Sequence, residues 1–240
     1  MRKRLGVNID HVATVRNARG SSHPDPLSIA KHVMSCKADS ITIHLREDRR
    51  HIKDIDVVKI CKNENILTNL EISLNNKILK IALKNKPNFI CIVPEKRKEI
   101  TTEGGLDLSK YENKIANIIL RFKKKNIRTS LFINPNLKDV KIAKKLAADC
   151  IELHTGKISN LIKEKKFFKN ELSKIKKCCL LAKKMDIEVH AGHGLDYKTT
   201  EILSRIPEIV EFNIGHFIIG EAITYGLNKT IRRFKKILNK

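Results

Sequence analysis

The feature that most constrains the fold is an alternation that occurs eight times. Short apolar or alternating segments, typical of strands, are each followed by a stretch with the apolar spacing of an amphipathic helix, across 240 residues. This number of units in this length predicts a (β/α)8 TIM barrel in the α/β class. The predicted strands are residues 5–10, 39–45, 68–73, 89–94, 128–135, 149–156, 187–192 and 209–215.

The predicted helices lie between these strands. Since no linker or change in composition divides the chain, we expect a single domain over residues 1–240 with its active site at the C-terminal mouth of the barrel. An open doubly wound sheet is the alternative, although the chain has no GxGxxG or GxxxxGK[ST] phosphate loop. The helical patterns cover residues 25–36, 55–63, 76–85, 111–126, 139–148, 172–185, 198–206 and about 220–238.

The strands show a second regularity, because apolar and polar residues alternate along them. A barrel strand turns one face to the helices and the other into the lumen, so the polar set is expected to converge near the mouth. Six of the nine histidines fall at predicted strand ends, which also favours an active site there. These histidines are His11, His44, His154, His190, His193 and His216.

The formal net charge of +23 raises the possibility of nucleic-acid binding. The lysines, however, are spread over helix surfaces, and only 5% of residues are aromatic, with no tryptophan to stack on bases. We expect no nucleic-acid partner, and a positive field that attracts phosphorylated metabolites. The chain has no long apolar span or signal-like apolar core, and its six cysteines form no CxxC pair, so we expect no membrane contact, reduced thiols and a cytoplasmic protein.

Two glycine-containing turns indicate phosphate binding. Residues 191–197 and 213–222 follow the seventh and eighth strands, where barrel enzymes commonly hold phosphate on backbone N–H groups at a helix N-terminus. Arg19, Arg46 and His51 could supply a second anion site elsewhere on the rim.

Acid–base groups converge on the same mouth. Glu71 and Glu152 point inward by strand alternation, and His44 lies near them. Both carboxylates could instead be structural ion-pair partners. Alternation favours His190 over His193 as the inward histidine, unless Gly192 ends its strand and turns His193 inward.

No catalytic metal is expected, since no HxH pattern occurs at the end of the first strand and no HExxH pattern occurs on a helix. A lysine Schiff base would need an inward lysine late in a strand, and Lys96 is the nearest candidate. The polar segment 94–109 predicts a lid over the mouth, with Thr101 or Thr102 available to bind phosphate.

Taken together, eight motifs resemble the pyridoxine 5′-phosphate synthase family. They occur in order from residue 6 to residue 220, and they are "GVNIDHVATVRNARG", "HLREDRRHI", "NLEI", "VPEKR", "TTEGGLD", "IELHTG", "AGHGL" and "NIGHFIIG". The resemblance implies a cofactor-free barrel that assembles into a homo-octamer. It also implies the condensation of 3-amino-2-oxopropyl phosphate with 1-deoxy-D-xylulose 5-phosphate to pyridoxine 5′-phosphate, phosphate and water.

The resemblance assigns roles residue by residue. It implies that His44, Glu71 and His193 are the acid–base groups, with His193 a proton donor, and that Glu152 stabilises the transition state. It leaves His190 unassigned. It places the amino-ketone phosphate on Asn8, Arg19, Gly194, Gly215 and His216, and the deoxyxylulose phosphate on Asp10, His11, Arg46, His51 and Thr101.

Two other barrel activities remain open at this point. A metal-dependent phosphosugar epimerase would lose activity with a chelator, and a lysine aldolase would be trapped by borohydride on Lys96.

Overall fold

The barrel closes in chain order. The computed structural model describes residues 2–95 and 104–239. Within them eight parallel strands pair with their neighbours in sequence, and the eighth pairs with the first, which confirms the (β/α)8 prediction. The strands are β1 (Arg4–Asn8), β2 (Ser40–His44), β3 (Thr68–Ile72), β4 (Phe89–Ile92), β5 (Arg128–Ile133), β6 (Cys150–His154), β7 (Glu188–Gly192) and β8 (Ile209–Ile214).

Helices follow every strand and cover the outside of the barrel. No helix in residues 2–95 and 104–239 is long and apolar enough to cross a membrane. The helices of this part of the chain are α1 (Asp10–Arg19), α2 (Pro26–Ser35), α3 (Asp54–Cys61), α4 (Asn76–Asn85), α5 (Glu112–Lys123), α6 (Leu137–Lys145), α7 (Gly156–Lys163), α8 (Lys169–Lys184), α9 (Tyr197–Ser204), α10 (His216–Tyr225) and α11 (Leu227–Leu238).

The sequence prediction misses α1 and α7 and merges α10 with α11. Helix α1 has a weak apolar period, whereas α7 has only eight residues and starts at a glycine two residues after the end of β6. The merged helix is wrong because Gly226 adopts φ 77° and ψ 151°, a backbone conformation outside the helical region that ends α10 and lets α11 start in a new direction.

The strand alternation is confirmed. Apolar residues such as Val7, Ile43 and Leu153 are fully buried against the helices. The opposite faces form a polar lumen that holds two separate cavities, a lower one of about 180 Å³ and an upper one of about 440 Å³. Upper and lower refer here to the C-terminal and N-terminal ends of the strands.

His190 points inward as alternation predicts, but it lines the lower cavity. Its Nε2 lies 2.7 Å from a Glu188 oxygen, and its Nδ1 lies 3.5 Å from Glu211. Arg4 and Arg128 pair with the same Glu188. These five side chains, which we call the floor network, close the N-terminal end of the barrel, the end that in this fold serves stability.

Helix α1 is fastened to α3 and to the loop between β2 and α3. The Arg16 guanidinium donates two hydrogen bonds to the Asp56 carboxylate, at 2.6 and 2.8 Å, and both side chains are less than 10% exposed. The Asn17 amide donates to the backbone carbonyl of His51 at 2.7 Å. These contacts fix the position of His51 relative to the first strand.

We expect Asp56→Asn to lower the free energy of unfolding by roughly 3 kcal/mol, because it leaves the Arg16 charge buried without its counter-ion. Glu164→Gln is the matched control, since it breaks an exposed ion pair with Lys166 that water and salt screen. Urea unfolding of both variants measures the two losses, and equal losses would show that the buried pair contributes no more than a surface pair.

Candidate active site

The upper cavity brings the predicted site residues together. Its volume of about 440 Å³ is in the ordinary range for small-molecule sites. Twelve of the fourteen residues predicted from the sequence line it, namely Asn8, Asp10, His11, His44, Arg46, His51, Glu71, Glu152, His193, Gly194, Gly215 and His216. Their position at the C-terminal ends of the strands is as predicted, and their chemical roles stay predictions.

Two predicted residues are not brought into the cavity. Arg19 is exposed at the C-terminal end of α1 and does not line it. Thr101 lies outside the described residues, as do Thr102 and Lys96. Of the predicted lid, residues 94–95 and 104–109 are described, and the lid itself stays a prediction.

Asp10 organises the side of the cavity formed by β1 and β2. One carboxylate oxygen accepts the backbone N–H of His44 at 2.8 Å, and the other accepts the Asn8 amide at 2.8 Å. His51 Nδ1 lies 3.8 Å from the same carboxylate and accepts the backbone N–H of Ile52. The start of α1 therefore positions two histidines at once.

His44 and Glu71 form a pair of adjacent groups on β2 and β3. His44 Nδ1 lies 3.6 Å from Glu71 Oε2. Burial, with the nearby charges of His51 and Arg46, holds the pKa of His44 well below its usual value. Burial, with Glu152 and Asp10, raises the pKa of Glu71 well above its usual value. Both shifts favour the uncharged forms, a neutral imidazole beside a protonated carboxyl group.

Glu152 reaches into the lumen from β6 and is held from β8. Asn213 Nδ2 donates to its carboxylate at 2.7 Å. The carboxylate fits only because residue 192 is glycine, since a Cβ there would lie 1.9 Å from Glu152 Oε1. Gly6 gives Asn213 the same freedom, because a Cβ on Gly6 would lie 2.0 Å from Asn213 Oδ1.

Burial raises the pKa of Glu152 to about 7, although the nearby His190 and the Asn213 hydrogen bond oppose the shift. A carboxyl group with a pKa near neutrality exchanges its proton readily at working pH. Glu152 is 3% exposed, so burial is the expected dominant cause.

His193 enters the cavity through an unusual backbone turn. Strand β7 ends at Gly192, and His193 then adopts φ 77°, a left-handed conformation that turns its side chain inward. The Thr155 hydroxyl donates to the carbonyls of Gly192 and His193, at 2.8 and 2.7 Å. Gly192 therefore ends the strand, which is the condition under which the sequence predicts an inward His193.

The last mouth loop closes the cavity against the first strand. Gly215 is the N-cap of α10, and a Cβ there would lie 2.8 Å from Asn8 Cβ. The rings of His11 and His216 meet edge to face with centroids 5.0 Å apart. The cavity thus includes the N-terminus of α10, where backbone N–H groups favour an anion.

Sequence reasoning left some lining residues unassigned. Val93, Phe132 and Asn213 face inward, and strand alternation was the signal that could have selected them. Lys163 reaches the cavity from the end of α7, and nothing in the sequence pattern indicates it.

Three donors in the cavity are close enough to hold a metal ion. Asp10, His44 and His51 each offer one ligand atom, and these atoms lie within 4.8 Å of one another. The positive charges of Arg46 and Arg50 act on this group of donors, since both help to lower the pKa of His44. This positive field opposes a cation and favours an anionic ligand.

The buried Glu152 should make stability depend on pH. In the unfolded chain this carboxyl ionises near its model value of 4.5, and in the folded chain near about 7, so the stabilisation is complete at low pH and is lost as pH rises towards 7. We expect Glu152→Gln to gain roughly 1–3 kcal/mol relative to the parent between about pH 5 and about pH 8. Urea unfolding at both pH values measures this difference, with Glu164→Gln as the control; a constant difference would mean that Glu152 titrates normally.

Comparison with known proteins identifies the family. A family model described as pyridoxal phosphate biosynthesis protein PdxJ matches residues 5–240. The chain is 75% identical to a pyridoxine 5′-phosphate synthase of Pelagibacter ubique, over 99% of this chain and 100% of that one. It is 48% identical to the enzyme of that name from Zymomonas mobilis, over 99% and 92% of the two chains.

The similarity to solved structures of low sequence identity supports the barrel fold and nothing beyond it. A phosphoribosylanthranilate isomerase of Thermotoga maritima superposes with a TM-score of 0.61 at 12% identity and covers 98% of both chains. A tryptophan synthase of M. tuberculosis superposes with a TM-score of 0.65 at 8% identity, over 100% of this chain and 93% of that one. With the full-length family match and the high identity to curated relatives, the chain belongs to the family of pyridoxal phosphate biosynthesis proteins PdxJ.

Proposed function

We infer that the chain is a pyridoxine 5′-phosphate synthase, an enzyme that condenses 3-amino-2-oxopropyl phosphate with 1-deoxy-D-xylulose 5-phosphate and closes the pyridine ring. One observation carries this inference: in a chain of this family, twelve residues from dispersed motifs meet in one cavity of about 440 Å³. The products are pyridoxine 5′-phosphate, inorganic phosphate and water.

His44 and Glu71 are the first acid–base pair. The reaction must form an imine, lose water and phosphate, and close the ring, and each of these steps moves protons. A neutral imidazole accepts a proton and a protonated carboxyl group donates one, so the lowered pKa of His44 and the raised pKa of Glu71 suit this work. Their separation of 3.6 Å is short enough to tighten to a hydrogen bond when substrate fills the cavity.

Glu152 stabilises charge on the opposite side of the cavity. A carboxyl group with a pKa of about 7 can hold either a proton or a negative charge there as the reacting nitrogen changes its protonation. His193, turned inward at the end of β7, is the proton donor. Asn213 holds the Glu152 carboxylate and Thr155 holds the backbone that carries His193, which limits their freedom to leave the reacting atoms.

The two phosphate groups take different parts of the rim. The amino-ketone phosphate lies against Asn8, Gly194, Gly215 and His216, where the N-terminus of α10 favours an anion. Arg19 joins this set only if it moves, because it is exposed outside the cavity.

The deoxyxylulose phosphate lies near Asp10, His11, Arg46 and His51, with Thr101 from the lid. The buried Arg46 guanidinium supplies the positive charge of this subsite. Segment 94–109 closes over both subsites and keeps water from hydrolysing the imine. The buried Glu95 fits this role at the first end of the segment, because its carboxylate accepts the backbone N–H of Glu47.

Assembly into a homo-octamer and a cytoplasmic location complete the proposal. The exposed apolar side chains of Phe167 and Ile223 support contacts between subunits. The six free cysteines favour a reducing compartment.

A mixing assay tests the proposed reaction. Protein treated with EDTA receives both phosphorylated substrates, and pyridoxine phosphate is followed by absorbance alongside released phosphate. Product is expected only when both substrates are present, and chelation should not reduce it. No product from folded protein would contradict the reaction, and loss of activity with EDTA would favour a metal-dependent phosphosugar enzyme.

We expect Glu71→Gln and His193→Asn each to lower turnover by at least about a hundredfold while the protein stays folded, because each removes a proton-transfer group. His32→Asn is the matched control, since His32 is exposed on α2. Steady-state kinetics and circular dichroism measure both properties. Near-normal turnover in either site variant would remove that residue from the catalytic set.

A further inference from the structure

His154 lies directly behind His193. It is the last residue of β6, and its ring stacks on the His193 ring with centroids 4.8 Å apart and planes inclined by 29°. The Phe132 ring also contacts the His154 ring, edge to face, with centroids 5.5 Å apart and planes inclined by 88°. His154 is not among the residues that line the upper cavity, whereas both of its neighbours line it.

The backbone of His193 and its ring are held by different contacts. His193 sits between Gly192 and Gly194, and its φ of 77° is rare for a residue with a side chain. Thr155 fixes the backbone of this turn through its two hydrogen bonds to carbonyl groups. Those bonds hold the backbone, whereas the stack acts on the His193 ring itself.

Gly156 makes room for the stacked rings. A Cβ at this position would lie 2.8 Å from His154 Cε1 and 2.8 Å from His193 Cδ2. Both rings therefore occupy space that any other residue at the start of α7 would take. The residues that support His193 follow one another as His154, Thr155 and Gly156.

His154 is suited to packing more than to proton transfer. Burial and the nearby His193 lower the pKa of His154 to about 4, so its ring is uncharged at neutral pH. Its Nε2 is buried and has no hydrogen-bond partner in the part of the chain that the structure describes. Because the His154 ring is uncharged, it can stack on the His193 ring without like-charge repulsion, whether His193 is protonated or neutral.

We propose that His154 is a positioning residue that holds the His193 imidazole in its reactive orientation by stacking between it and Phe132. The proposal rests on the proposed function, in which His193 is the proton donor. Since a misplaced catalytic group lowers the chemical step more than binding, the effect should fall on kcat more than on KM.

The test compares two substitutions at one position. His154→Leu removes the ring plane, and His154→Phe keeps a ring without its nitrogens. We expect His154→Leu to lower kcat by about tenfold to a hundredfold with KM changed by less than about threefold, and His154→Phe to recover most of the loss. His32→Leu is the control for loss of an exposed histidine.

Nuclear magnetic resonance of the His193 ring gives a readout that does not need activity. In the folded parent protein the His193 ring protons should carry a ring-current shift from His154, which His154→Leu removes and His154→Phe restores. His193→Asn assigns the signal. If the parent shows no synthase activity, the proposed function fails while this signal still tests the stack.

Three outcomes would overturn the proposal. One is a folded His154→Leu variant with the kcat and His193 signal of the parent. Another is a His154→Phe variant that is as impaired as His154→Leu although its His193 signal is restored, which would assign the work to a ring nitrogen. The third is a rise in KM alone, which would place His154 in substrate binding.

Discussion

The hydrogen bond from Asn213 to Glu152 links two strands across β7 on the lumen side, and much of the upper cavity depends on it. It joins β8 to β6 at 2.7 Å and exists because Gly6 and Gly192 leave space for the two side chains. It also gives the buried carboxylate a partner, without which burial would raise its pKa further. A barrel lumen is usually filled by branched apolar residues, and here polar groups replace them close to the mouth.

The remaining site residues are positioned by their neighbours in the first and second units of the barrel and by the turn after β6. The Arg16–Asp56 pair ties α1 to α3, Asn17 ties α1 to the backbone of His51, and the Asp10 carboxylate ties the same helix to the backbone of His44. On the other side, Thr155 and the His154 ring hold the turn that carries His193. Three of these neighbours, Asp10, His154 and Thr155, lie within two residues of a strand end, which is how a rigid barrel presents side chains at a fixed distance.

Much of this arrangement can be predicted from the sequence, because it follows from two periodic patterns of apolar residues. The repeated strand and helix patterns fix the barrel, and the alternation within strands separates lumen residues such as Glu71 and Glu152 from core residues. Local backbone geometry is not periodic. The positive φ of His193, the end of α10 at Gly226 and the short helix α1 arise from single residues and tertiary contacts, so alternation alone favours His190 and places no helix at residues 10–19. Alternation also shows which face of a strand a side chain lies on, but not its position along the barrel axis. For this reason it does not reveal that His190 lines the lower cavity.

The floor network determines how substrates and products enter and leave the enzyme. Arg4, Arg128, Glu188, Glu211 and His190 occupy the N-terminal end of the barrel, and fully buried side chains such as Thr42 and Cys91 lie between the lower and upper cavities. The residues that the structure describes therefore leave no path for small molecules along the barrel axis. Substrates and products must share the mouth, so released phosphate occupies the same entrance that the next phosphorylated substrate needs. Accumulated product is then expected to slow the enzyme by competing for entry, in a way that follows from the architecture of the barrel.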